Sequence, residues 1–72
     1  MNNLNVVKIQ LNGDSYEIKS GSNLNELLNE LKIKKKKVAI EVNGEIIEKN
    51  KYLSLILSSE DKVEIVNFIG GG

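Results

Sequence analysis

Leu24, Leu27, Leu28 and Leu31 constrain this chain more than any other residues in it. They fall at i, i+3, i+4 and i+7, which is one stripe of an α-helix. Asn25, Glu26, Asn29 and Glu30 occupy its other faces. Asn23 followed by Glu26 has the spacing of a capping box, with Asn in place of Ser or Thr. Ser20-Gly21-Ser22 separates this helix from what precedes it. The lysines after Leu31 suit a helix C-terminus, where positive charge is favoured. Lys34, Lys35, Lys36 and Lys37 therefore read first as a solvated helix end. The functional alternative is a contact with an acidic partner surface or a phosphate.

A single short amphipathic helix cannot bury its own stripe. The rest of the chain supplies a sheet to receive it. Val7, Ile9 and Leu11 alternate with polar residues, the period of a strand with one buried face. Asn12-Gly13-Asp14 is a turn sequence, and Tyr16 and Ile18 continue the alternation beyond it. Val38, Ile40 and Val42 make a third strand, turned by Asn43-Gly44. Glu45-Ile46-Ile47-Glu48 is a candidate for a short fourth. Lys49 to Ser59 is an apolar connection with room for one helical turn. Glu60-Asp61 turns the chain into a last strand, Val63 to Phe68. The order β-β-α-β-β-β predicts an α+β domain, with a mixed sheet of four or five strands and one helix across one face. Tyr16 and Tyr52 are expected to pack in the core or at its rim.

Size and composition exclude several functions. Seventy-two residues form one domain at most, and a chain this short buries only roughly 60% of its unfolded surface. That leaves no room for an internal catalytic cleft, so the chain is not expected to be an enzyme. Ten basic and ten acidic side chains cancel, which argues against a nucleic-acid partner. There is no cysteine and no histidine. A thiol nucleophile is therefore absent, a structural zinc is not expected, and no metal or cofactor is expected. No apolar run approaches the ~20 residues that span a bilayer. The N-terminus lacks the basic and hydrophobic regions of a signal peptide. The expectation is a cytoplasmic protein with no membrane partner.

The end of the chain is the feature a core does not explain. Asn67-Phe68-Ile69-Gly70-Gly71-Gly72 finishes an apolar run with three glycines. Glycine has no Cβ and fits where walls come close. Ile69 to Gly72, fully extended, reaches at most ~13–14 Å. The expected organisation is a domain over 1–68 followed by a flexible tail over 69–72. Such a tail can thread a slot too narrow for other residues and present the Gly72 α-carboxylate as an acyl group. The alternative is a glycine-rich terminus with no task. If Val63 and Ile65 face the core, Glu64, Val66 and Phe68 face away from the helix. Val66, Phe68 and Ile69 then form a docking patch at the foot of the tail, unless the 49–57 connection covers Val66 and Phe68.

Taken together, these segments resemble the ThiS family, the sulfur-carrier proteins of thiamine biosynthesis. This family belongs to the ubiquitin-like β-grasp group, with the small subunit of molybdopterin synthase. The resemblance runs through Asn12-Gly13, Leu24-Asn25-Glu26-Leu27-Leu28, Val38 to Ile46, and Asp61 to Gly72. It implies a β-grasp fold and a specific chemistry. An adenylating enzyme would join the Gly72 carboxylate to ATP as an acyl-adenylate, with Gly70 and Gly71 passing through its channel. Sulfur from a cysteine persulfide on a sulfur donor protein would displace AMP and leave a thiocarboxylate. Thiazole synthase would accept that sulfur. The chain has no phosphate-binding lysine loop, so ATP would be bound by the partner. Related acceptors remain open at this point: molybdopterin, thiolated RNA or cysteine. A ubiquitin-like role in modifying other proteins, and a plain interaction domain, also remain open.

Overall fold

The computed structural model describes residues 5–67. Strand β1 (Val6–Leu11) folds back on β2 (Asp14–Lys19) through Asn12 and Gly13. These two residues have φ of 49° and 90°. Positive φ at both central positions defines the two-residue hairpin turn whose twist matches the strands, and Asn-Gly is its preferred sequence. The same device recurs at Asn43 (φ 53°) and Gly44 (φ 87°), between β3 (Val38–Val42) and β4 (Glu45–Ile47). The last strand, β5, is Lys62–Asn67. The sheet has five strands in the order β2-β1-β5-β3-β4. β1 and β5 run parallel, and the other neighbours are antiparallel.

Helix α1 spans Leu24–Leu31, the residues marked out by the leucine stripe. The capping box forms in both directions. The Glu26 N–H donates to Asn23 Oδ1 at 2.8 Å, and the Asn23 N–H donates to Glu26 Oε1 at 2.9 Å. Together these satisfy donors that the first helical turn leaves open. The helix end departs from the expectation. Lys32 adopts a left-handed conformation (φ 61°, ψ 41°). The Lys32 N–H donates to the Asn29 carbonyl and the Ile33 N–H to that of Leu28, at 3.1 and 2.9 Å, which is a Schellman end. The chain has therefore left the helix before the lysine run begins. Lys35–Lys37 instead form a separate 3₁₀ turn that leads into β3. The lysines are exposed as expected, but they are not a helix end.

One face of the sheet carries the core. Ile9, Ile18, Val38, Ile40, Val42 and Val63 pack against Leu24, Leu27 and Leu28. Leu31, Tyr16, Ile47 and Ile65 are partly buried around them. Each fully buried aliphatic side chain is worth about 1.5–3 kcal/mol of transfer free energy, so this face decides the stability of so small a domain. The connection from β4 to β5 contains a 3₁₀ turn at Lys49–Lys51. It then buries Tyr52 and Leu57 in the same core and leaves Leu53 and Ile56 exposed. The Leu24 N–H donates to the Tyr52 carbonyl at 3.1 Å, and the Leu57 N–H to the Ser22 carbonyl at 2.8 Å. These bonds hold the connection beside the start of α1.

Candidate functional site: the end of β5 and the open sheet face

Residues 68–72 follow β5 in sequence, and two asparagines hold that strand. At its start, the Asn43 N–H donates to the Lys62 carbonyl at 2.7 Å, and the Lys62 N–H donates to Asn43 Oδ1 at 2.9 Å. Asn43 Nδ2 donates to Asp61 Oδ1 at 2.9 Å, and Asp61 Oδ2 accepts from the Ser58 N–H at 2.8 Å. Further along, β1 has already ended at Leu11. There the Asn12 side chain takes the place of the next strand residue. The Ile65 N–H donates to Asn12 Oδ1 at 2.8 Å, and Asn12 Nδ2 reaches the Ile65 carbonyl at 3.4 Å. Both hairpin turns thus also clasp β5. The asparagine that accepts a positive φ is the residue whose side chain reaches across.

The register assigns the faces. Val63 lies opposite Val42, and Ile65 opposite Ile40, on the helix side. Glu64 lies opposite Glu41, and Val66 opposite Ala39, on the other side. Ile46 pairs with Glu41 and shares that outer face. Val66 is 59% exposed and Ile46 71% exposed. The 49–57 connection does not cover Val66, because its buried residues belong to the helix-side core. Glu41, Asn43, Gly44, Lys62 and Glu64 line an open depression of about 500 Å³ on the outer face. Two like charges directly opposite one another, Glu41 and Glu64, gain nothing for the sheet.

Of the residues the sequence marks as a site, Val66 is placed on this open face. Phe68, Ile69, Gly70, Gly71 and Gly72 lie outside the described residues. The exposed Ile46 went unremarked in the sequence, although a signal was present. Ile46 and Ile47 are adjacent on a strand, so only one of them can face the core. Tyr52 is a core residue, fully buried. Its hydroxyl meets no hydrogen-bond partner in bonding geometry. Burial pushes its pKa up, against a smaller downward pull from the nearby Ile40 backbone. Tyr16 sits at the rim and donates its hydroxyl to Glu30. That hydrogen bond, with lesser contributions from burial and from the Glu30 charge, raises its pKa. Among the described residues there is no cluster of three or more acidic side chains that could hold a metal ion, and no helix long and apolar enough to cross a membrane.

A small β-grasp sheet with one covering helix and an open face beside its last strand is a frame shared by many proteins. The family model described as ThiS family matches residues 9–72. The chain belongs to the ThiS family. The ThiS sulfur carrier protein of Bacillus subtilis is 38% identical over 65 residues, covering 89% of this chain and 98% of that protein. The crystal structure of the ThiS thiamine-biosynthesis protein of Geobacter metallireducens superposes with a TM-score of 0.79 at 30% identity, covering 92% of this chain and 100% of that one. The chain is also 38% identical over 66 residues to a thiazole synthase of Magnetococcus marinus, covering 92% of this chain but only 20% of that protein's length.

Proposed function

We propose that this chain carries sulfur to thiazole synthase in thiamine biosynthesis, on the carboxylate of Gly72. The chemistry follows from what a carboxylate lacks. Its oxygen is a poor leaving group, so an adenylating partner lets it attack the α-phosphorus of ATP, releasing pyrophosphate. The persulfide of a donor protein's cysteine then attacks the acyl carbon and expels AMP. A second thiol cleaves the resulting acyl disulfide, leaving a thiocarboxylate. The described part of the chain has no pocket chemistry of its own to offer. Its tasks are to dock and to aim the tail. Val66 does so on the open face, with Phe68 and Ile69 beyond it in sequence and Ile46 on the same face. Gly70 and Gly71 keep the approach to Gly72 narrow. With ATP and a persulfide donor as co-reactants, the cytoplasm is its compartment.

The observation that carries this reading is the family match through residue 72, glycine run included. A thiazole synthase containing a segment 38% identical to this chain favours thiazole over the other acceptors. The experiment is intact-mass spectrometry of the chain with an adenylating enzyme, ATP and a persulfide donor. The expected result is one oxygen replaced by sulfur, reversed when thiazole synthase and its substrates are added. Conjugates to lysines of other proteins would make the chain a modifier instead. Sulfur that loads but never leaves with thiazole synthase would point to a different acceptor.

A further inference from the structure

The lysine run that sequence reading assigns to a helix end stands somewhere more useful. In the β3–β5 register, Val38 lies opposite Asn67, the last described residue of β5. The residues just before Val38 therefore flank the end of β5, after which residues 68–72 follow in sequence. Those residues are Lys34 and the 3₁₀ turn Lys35–Lys37. The turn is held in place rather than loose. The Lys37 N–H donates to the Lys34 carbonyl at 3.0 Å, and Val38 behind it is fully buried. Lys49 reaches the same corner and donates to the Val38 carbonyl at 2.7 Å. The Lys35 and Lys49 ammonium groups lie 5.9 and 6.0 Å from the centroid of the Tyr52 ring, near enough for each to feel the π face.

Charge balance makes this placement informative. The chain as a whole is neutral, so the cluster is a local excess and not part of a general basic character. Lys34, Lys35, Lys36 and Lys37 are all exposed. Among the described residues none of the four is paired with a carboxylate. Like charges held together in water cost free energy, and that cost is relieved when an opposite surface meets them. An enzyme that draws in the tail as far as Gly72 must bring the mouth of its channel against the end of β5. Extended, residues 68–72 carry the Gly72 carboxylate up to ~18 Å from that point. At that distance the lysines stand at the mouth and not at the nucleotide, which argues for an acidic protein rim over a phosphate.

We propose that Lys34–Lys37 form a steering surface for an acidic rim around the tail channel of the adenylating partner. This inference rests on the sulfur-carrier reading above. Complementary charge at a rim acts mainly on the association rate and on its salt dependence. The experiment is stopped-flow association with the adenylating enzyme, comparing the wild type with Lys36→Gln/Lys37→Gln. Lys8→Gln/Lys19→Gln is the control, losing the same charge on β1 and β2. At low salt the turn variant should associate about tenfold more slowly, with a dissociation rate close to wild type. The control should stay within about twofold of wild type. In 1 M salt, where screening acts over only about 3 Å, the three proteins should converge. Adenylation of the bound carrier in a single turnover should be the same for all three. If the turn variant matches wild type at low salt, or if the control slows equally, the inference fails while normal adenylation leaves the sulfur-carrier reading standing. A wild-type chain that the enzyme neither binds nor adenylates overturns both.

Discussion

The two faces of β5 meet opposite surroundings. On the helix side, Val63 is fully buried and Ile65 partly so, in a core with Leu24, Leu27 and Leu28. On the open side, Val66 and Glu64 face outward beside Ala39 and Glu41, with Ile46 beyond. The first face is filled by side chains that have no other place to go. The second holds apolar groups that nothing in the described chain covers and two carboxylates that repel. On the sulfur-carrier proposal, one strand serves stability on one face and recognition on the other, and alternation keeps the two apart. A substitution should move one property and not the other, according to the face it lies on.

The largest expected effect lies on the helix side. Leu28→Ala removes a buried side chain and should cost about 2–5 kcal/mol, the transfer term plus a cavity. That is a large share of the stability of any small domain. Denaturant titration checks it, and an unchanged midpoint would remove Leu28 from the core. On the open side, Val66→Asp should leave stability within about 0.5 kcal/mol of wild type, as for other surface changes. Affinity for the adenylating enzyme should fall by about tenfold, the equivalent of ~1.4 kcal/mol. Calorimetric titration and a melting curve read the two together. A lower melting temperature with unchanged affinity would reverse the assignment of this face.

Two smaller effects probe what joins the faces. Asn12→Gly keeps the positive φ that the turn needs but removes both side-chain bonds to Ile65. The expected loss is about 1 kcal/mol, with faster amide hydrogen exchange at Ile65 than at Val63. Equal protection at both would show that the clasp does not hold the strand. Tyr52→Phe removes a buried hydroxyl with no partner, so it should be neutral or stabilising by up to about 1 kcal/mol. It also changes the alkaline limb. Burial raises the Tyr52 pKa above the ordinary value of 10.0, so the folded chain retains a proton that the unfolded chain releases. Stability is then intact below pH 10 and is lost as pH rises from there through the raised value. Tyr16 contributes in the same direction. In Tyr52→Phe the alkaline decline should be shallower, and an identical decline would mean that Tyr52 does not titrate in that window.

The helix, the hairpin turns and the alternating strands were legible because each is written in neighbouring residues. The leucine stripe and the Asn23–Glu26 box define α1 to the residue. The clasp from Asn12 to Ile65 spans 53 positions and leaves no local pattern. The sequence presents Asn12 only as a turn residue. The place of the lysine run is hidden in the sequence for a related reason. Its charge suits a helix end or a turn equally well, and the left-handed Lys32 that decides between them is a residue type that seldom adopts such a conformation. Alternation alone turns Val66 away from the helix, the side on which the structure has it exposed. Ile46 was equally accessible by that rule, once its strand was paired with β3.

The central claim is that the open face delivers Gly72 to an adenylating enzyme and that the Gly72 carboxylate reacts. Deleting Gly72 tests it most directly. The shortened chain would still present a carboxylate, on Gly71, but ~3.3–3.6 Å short of its station. A displacement of even 1 Å can cost about 10²-fold in rate. ATP–pyrophosphate exchange with the adenylating enzyme should therefore fall by about 10²-fold or more, while binding through the Val66 face is retained. Exchange at the full wild-type rate by the shortened chain would contradict the claim, because the carboxylate of Gly72 could not then be the group that is activated.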